Sequence, residues 1–193
     1  MDLRTRIIEA AAKVYSEVGF RGATTRRIAS AAGCNELTLF RHFGSKAALI
    51  HEAVACCGPE SKLVPLPDVP ADPYTEIRTW AAQHFTQMRL HQSMIRTTIG
   101  EVEEHPELVR PSDPYALAYD QLADYVRKLQ GAGRAEAEVD AAAASAMLLN
   151  ALLLNAIMRD VMPALIPDTP ELHLDQFVRL FLRGIGTSVP VSA

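Results

Sequence analysis

Residues 24–46 read TTRRIASAAGCNELTLFRHFGSK, and this stretch decides the fold. Ile28, Ala29 and Ala32 recur at helical spacing, and Gly33 stops the run. A hydroxyl ahead of a first helical turn accepts from backbone N–H groups that otherwise lack partners, so Thr24 or Thr25 caps a helix here. Asn35 is the next cap and launches a second short helix, marked by Leu39, Phe40 and Phe43. Two short helices joined by a glycine-containing turn make a helix-turn-helix. Ser45 then opens a further helix directly after Gly44.

Upstream, residues 3–18 predict an amphipathic helix. Ile7, Ala11, Val14, Tyr15 and Val18 form one stripe of a 3.6-residue period, and Gly19 ends it. The stripe is expected to cover the two short helices and so complete a three-helix head. Arg4, Arg6 and Lys13 lie on other faces, Arg4 and Arg6 within possible reach of a phosphate.

This part of the chain resembles the TetR family of transcriptional regulators. The resemblance rests on Thr24-Thr25, Ile28-Ala29, Ala32-Gly33, Thr38-Leu39-Phe40, His42-Phe43 and Ser45-Lys46 with Leu49, together with Ala11, Tyr15 and Gly19 upstream. It covers roughly the first quarter of the chain. Asn35 replaces the family's usual serine, Cys34 its usual valine and Leu37 its usual small residue. The resemblance implies a DNA-binding head on an all-helical ligand-binding and dimerisation body, about nine helices in all.

Glu36, Leu37 and Thr38 occupy the first turn of the second short helix, where recognition helices address base edges. Thr38 suits a base or a thymine methyl. Glu36 suits a cytosine amino group, or serves as a first-turn acid favoured by the helix dipole. Phe40 stands where the family usually has tyrosine, so an apolar contact with the sugar-phosphate edge replaces a phosphate-binding hydroxyl. Arg41 suits a base or a phosphate, and His42 and the helix start at Lys46 are family-like phosphate contacts. Thr25, Arg26 and Arg27 open the first short helix near the DNA backbone, and Thr24 and Asn35 complete the candidate DNA-contacting set.

Charge agrees with this division. Residues 1–51 hold eight Lys/Arg against four Asp/Glu, and the remainder eleven against nineteen, within a net charge of −4. A basic head on an acidic body suits DNA binding by the head. An apolar content of 49% and a charged content of 22% are ordinary for a globular chain of 193 residues. The most apolar run, Ala141–Met158, is interrupted by Ser145, Asn150 and Asn155, and the N-terminus lacks a signal-peptide core. A cytoplasmic location is expected. Three cysteines, of which Cys56 and Cys57 are adjacent, argue for reduced, mostly buried thiols over a disulfide framework. Redox control through Cys34, Cys56 or Cys57 is a minor alternative, and an all-α small-molecule carrier a further one.

Residues Pro59 to Pro73 contain Pro65, Pro67 and Pro70 without periodicity and predict a semi-rigid connector. The expected domains are therefore residues 1–57 and 58–193. Five helices are predicted in the second: from Asp72-Pro73 through Met88, from Ser93 to about Glu104, from Asp113-Pro114 to Gly131, from Glu136 to about Met162, and from about Pro170 to Thr187. The fourth is apolar nearly all round and the fifth carries a wide stripe. In the TetR plan the last two helices pair with their copies in a second subunit. Leu153, Leu154, Ile157, Phe177, Val178, Phe181, Leu182 and Ile185 are the expected dimer contacts.

A polar-aromatic line of Trp80, His84 and Gln87, with Met88 beside it, is the candidate wall of a ligand cavity. Ile95, Tyr115, Tyr119, Met147 and Asn150 are its further candidates. Asn150 and Asn155 point roughly 140° apart on a helix, so one is expected to face the cavity and the other the partner subunit. Asn150 is the inward candidate, although the spacing alone does not choose. His84 and His91 are seven residues apart, roughly 10 Å along a helix, too far to share a metal ion. No nucleophile–base pair, phosphate-cradling loop or metal-ligand set is legible. Neither catalysis nor a cofactor is expected.

Overall fold

The computed structural model describes residues 2–56, 63–111, 113–164 and 170–189. Among them are nine α-helices, one short 3-10 turn and no strand. The helices are α1 (Leu3–Gly22), α2 (Thr25–Ala32), α3 (Glu36–Phe43), α4 (Lys46–Cys56), α5 (Pro73–Leu90), α6 (Gln92–Glu101), α7 (Pro114–Gly131), α8 (Ala141–Met158) and α9 (Pro170–Gly184). The expected all-α class holds. Cys57 and the first residues of the expected connector, 59–62, lie outside the described residues, and residues 63–72 form neither helix nor strand.

The chain divides into two compact units. The first comprises residues 1–59 and 91–114, the second residues 60–90 and 115–193. A division at residue 58 had placed residues 91–114 in the body, but α6 packs on α1. Met94 and Leu108 lie in the same core as Ile7, Tyr15, Ile28, Leu39, Leu49 and Ile50.

In the first unit α1 packs against α2, α4 and α6, and α3 against α2 and α4. The predicted stop at Gly19 is a kink, not an end: Gly19 has φ +69°, and the helix resumes to Gly22. A glycine is required there on two grounds. The positive φ disfavours any side chain, and a Cβ would come within 2.5 Å of Glu101 Oε1. That carboxylate instead accepts from the Phe20 backbone N–H at 2.6 Å, giving this donor an acceptor at the kink. Tyr15 donates to Thr98 Oγ1 at 3.2 Å, and burial pushes its hydroxyl pKa up to about 12. Asp113, predicted as the cap of α7, turns its carboxylate elsewhere. Its Oδ1 lies 3.1 Å from His51 Nε2, and its Oδ2 accepts from the Arg110 N–H at 2.7 Å.

In the second unit α5 packs against α8 and α9, and α8 against α9. Two buried aromatic residues join α7 to α5: Trp80 Nε1 donates to Gln121, and the Tyr125 hydroxyl to Glu76. Glu76 also accepts from the Ala71 and Asp72 N–H groups at 3.0 and 2.9 Å, closing the start of α5. The predicted start of α8 at Glu136 moves to Ala141. Asp140 caps it there by accepting from Ala142 N at 2.8 Å, and residues 136–140 form turns. By length and composition α8 is apolar enough to cross a membrane, contrary to the reading of its interruptions, but half of it is buried inside the protein.

Candidate nucleic-acid interface

The helix-turn-helix is held by short, local bonds. Thr24 Oγ1 accepts from Arg27 N at 3.2 Å, which makes Thr24 the cap of α2. Gly33 ends α2 in the left-handed region, at φ +65°, where a residue with a Cβ would be strained. Asn35 Oδ1 then accepts from Thr38 N at 2.8 Å and caps α3. Ser45 caps α4 through Ala48 N at 3.1 Å. With Ile28, Ala29, Leu39 and Phe43 turned into the core, α3 is fixed by its own apolar face.

This arrangement sorts the candidate contacts into exposed and engaged groups. Asn35, Leu37, Phe40, Arg41 and His42 are exposed on or before α3, and Thr24, Arg26 and Arg27 on α2. Among the described residues no carboxylate lies within ion-pair distance of Arg26, Arg27 or Arg41. An open groove of about 750 Å³ runs between α1 and α2, lined by Lys13, Arg26, Arg27, Thr24 and Ser30, with Glu17 as its acid. The basic character inferred from composition is thus concentrated beside the exposed side of the helix pair.

Four expected contacts, Thr25, Glu36, Thr38 and Lys46, are engaged within the protein. Thr25 Oγ1 donates to Glu36 Oε2 at 2.6 Å, tying α2 to α3, so Glu36 has a structural task and its first-turn position suits the helix dipole. The Thr38 hydroxyl donates to Asn35 Oδ1 at 2.8 Å. Lys46 turns its ammonium onto the α1 kink, donating to Phe20 O at 2.7 Å and lying 4.0 Å from the centre of the Phe20 ring. Burial lowers its pKa, Glu101 opposing with a smaller upward pull. Its side chain therefore props the head. Arg6 donates to Ala32 O at 2.6 Å, and Arg4 pairs with Glu52, so neither arginine is a free cation.

A family model described as bacterial regulatory proteins of the tetR family matches residues 7–53. The head of this chain is of the TetR family. Over 51 residues it is 41% identical to the HTH-type transcriptional regulator UidR of Escherichia coli, a match covering 26% of each chain. Over 49 residues it is 41% identical to the HTH-type transcriptional repressor KstR2 of Rhodococcus jostii, covering 25% of this chain and 24% of that one. The match thus spans about a quarter of the length of these curated relatives. Solved structures extend the likeness to the whole chain. The Flavonoid-responsive Regulator FrrA is 25% identical with a TM-score of 0.71, over 94% of this chain and 96% of that one. A transcriptional regulator from Rhodococcus sp. Rha1 is 21% identical with a TM-score of 0.74, over 97% and 99%, and shows the shared fold. The TetR-type head therefore sits in a chain whose fold is TetR-like throughout.

The second unit brings some cavity candidates together and separates others. Trp80 is buried and packs on His84, ring centres 4.2 Å apart. Met88 is buried, and Gln87 and Tyr119 are half-buried. Met147 and Asn150 instead sit on the exposed side of α8, where the Tyr115 hydroxyl donates to Asn150 Oδ1 at 2.7 Å. Asn155 is the inward asparagine, accepting from Arg159 Nη2 at 3.3 Å, so the assignment of Asn150 is reversed. Ile95 belongs to the first unit.

Burial lowers the His84 pKa to about 4 from its usual 6.5. The folded state thus holds His84 neutral while the unfolded chain takes up a proton. Its contribution to stability is fully present above pH 6.5 and is lost as pH falls from 6.5 towards 4. Partial exposure discounts the loss to on the order of 2 kcal/mol. Urea unfolding at pH 7.5 and 4.5 is expected to show this difference in the native protein and a smaller one in His84→Phe. An identical pH dependence in both would exclude His84 as its source.

Proposed function

We propose that this chain is a homodimeric transcriptional repressor that binds a palindromic operator and releases it when a small hydrophobic or aromatic ligand binds the second unit. The observation that carries the reading is the capped pair α2 and α3, whose exposed residues include Arg26 and Arg27 on α2 and Arg41 and His42 in the last turn of α3. A single short recognition helix provides little affinity, and a symmetric dimer reading two half-sites is the common remedy. KstR2 is named a repressor, and FrrA a flavonoid-responsive regulator. The first name supports repression, and the second a response to a small aromatic effector. Control occurs by population shift: a ligand that favours a spacing of the two heads unsuited to the operator weakens DNA binding by its differential affinity for the two states. The chain acts in the cytoplasm, without catalysis or a cofactor.

Trp80 is the chain's only tryptophan, so its emission tests the ligand half of the proposal. Selection from a random DNA library first yields the operator, and a palindromic winner supports dimeric recognition. Apolar and aromatic metabolites are then screened by Trp80 fluorescence. The expected effector changes that emission and releases operator over the same concentration range, because coupling between the two sites is reciprocal. An effector that releases DNA without affecting Trp80 would place the cavity elsewhere.

A further inference from the structure

The first turn of α3 contains three side chains at the positions from which recognition helices address bases, and two of them have their polar groups committed. Glu36 Oε2 holds the Thr25 hydroxyl, and the Thr38 hydroxyl is spent on Asn35. Leu37, between them, is 61% exposed, and Phe40, one turn further on, is 44% exposed. Residues three apart on a helix are surface neighbours, so these two form one apolar patch. Exposed cations lie on the same two helices: Arg41 follows Phe40 on α3, with the exposed imidazole of His42 after it, and Arg26 and Arg27 lie on α2. Double-stranded DNA is the occupant that matches this combination, with phosphates for the cations and an apolar group on its base edges for the leucine.

Leucine has no hydrogen-bonding group, so it cannot distinguish donors from acceptors. The apolar group that the major groove offers is the 5-methyl of thymine; every other recognition feature there is a donor or acceptor. We propose that Leu37 reads the operator through thymine 5-methyl groups, with Phe40 beside it keeping water from the contact. The inference rests on the repressor reading above and specifies its base chemistry. Placing Leu37 where the family usually has a small residue exchanges a neutral position for one that rewards a methyl group. The reward is roughly fourfold in affinity per methyl buried.

Uracil substitution isolates that methyl, since deoxyuridine differs from thymidine by this group alone. The full chain is used to select an operator, and affinity is then measured with each symmetry-related pair of thymines replaced by deoxyuridine. At least one pair is expected to lose several-fold in affinity with the native protein. In Leu37→Ala, whose exposed position leaves the core intact, the same replacement is expected to have little effect. Cytosine at that pair should weaken binding, and 5-methylcytosine should recover part of the loss. Operators that bind specifically yet tolerate uracil at every thymine would overturn the methyl readout while leaving the repressor reading standing. A uracil penalty that persists undiminished in Leu37→Ala would assign the readout to another residue and so overturn it too. Failure to select any sequence would overturn both.

Discussion

Replacing Leu182 by glutamate unfolds the second unit instead of parting two subunits. The resemblance to the TetR plan and the apolar character of the last two helices place Leu182 in the expected dimer contact, together with Val178, Phe181, Ile185 and Ile157. The structure buries all five inside the protomer, Leu182 at 0% exposure. They lie on α8 and α9, which pack on each other and on α5, so a carboxylate at residue 182 would enter a predominantly apolar core. Truncating a buried leucine alone costs about 2–5 kcal/mol, and an unpaired buried charge adds to that. The sum is comparable to the 5–15 kcal/mol that stabilises a typical domain. Circular dichroism should show a lost or strongly lowered unfolding transition at every protein concentration. A Leu182→Glu protein that melts like the native one, whether monomer or dimer, would show that this core tolerates the charge and that the packing argument is wrong.

Leu154→Glu has the opposite expected result: an intact fold and no dimer. Leu154 is 58% exposed on the side of α8 that also carries Met147 and Asn150, and on α9 Leu180 is 61% exposed. Leu153 and Phe177 are half-buried beside these positions. Large apolar side chains in this density on two adjacent helices are the mark of a face that another surface covers. We therefore retain Leu153, Leu154 and Phe177 in the proposed dimer contact, add Met147 and Leu180, and release the five buried residues. A glutamate at residue 154 stays in water in the free protomer but would be desolvated, opposite its own copy, in the symmetric dimer. Sedimentation at micromolar concentration is expected to give a monomer with native helicity. Affinity for the palindrome should fall by orders of magnitude, because each head then binds its half-site alone. If Leu154→Glu sediments as an undiminished dimer, the contact lies on another face.

The helix-turn-helix was legible in the sequence because its determinants are local. A cap and the backbone N–H that donates to it lie three residues apart, and Gly33 and Gly44 mark turns by needing a positive φ. Leu39 and Phe43 reach the core because a four-residue spacing puts them on one side of α3. None of this depends on what the rest of the chain does. The nine helices among the described residues and the position of the basic head were available in the same way.

Which way the apolar helices face was settled by packing alone. Along α8 the residues are apolar on every side, so no period separates Leu152, which is buried, from Leu154, which is exposed. A hydrophobic pattern names an inward face only when a polar face opposes it. For the same reason Asn150 and Asn155 could not be told apart from their spacing. The partners of Glu36, Thr38 and Lys46 also needed the tertiary structure. A side chain's possible bonds follow from its chemistry, but whether Lys46 extends towards a phosphate or folds onto Phe20 depends on a carbonyl 26 residues away. Likewise the grouping of α6 with the head follows from Glu101 meeting the kink at Gly19, across 81 residues of chain to the Phe20 N–H it accepts. Local physics wrote the elements; long-range contacts, which no short window of sequence contains, decided their orientation and the tasks of their side chains.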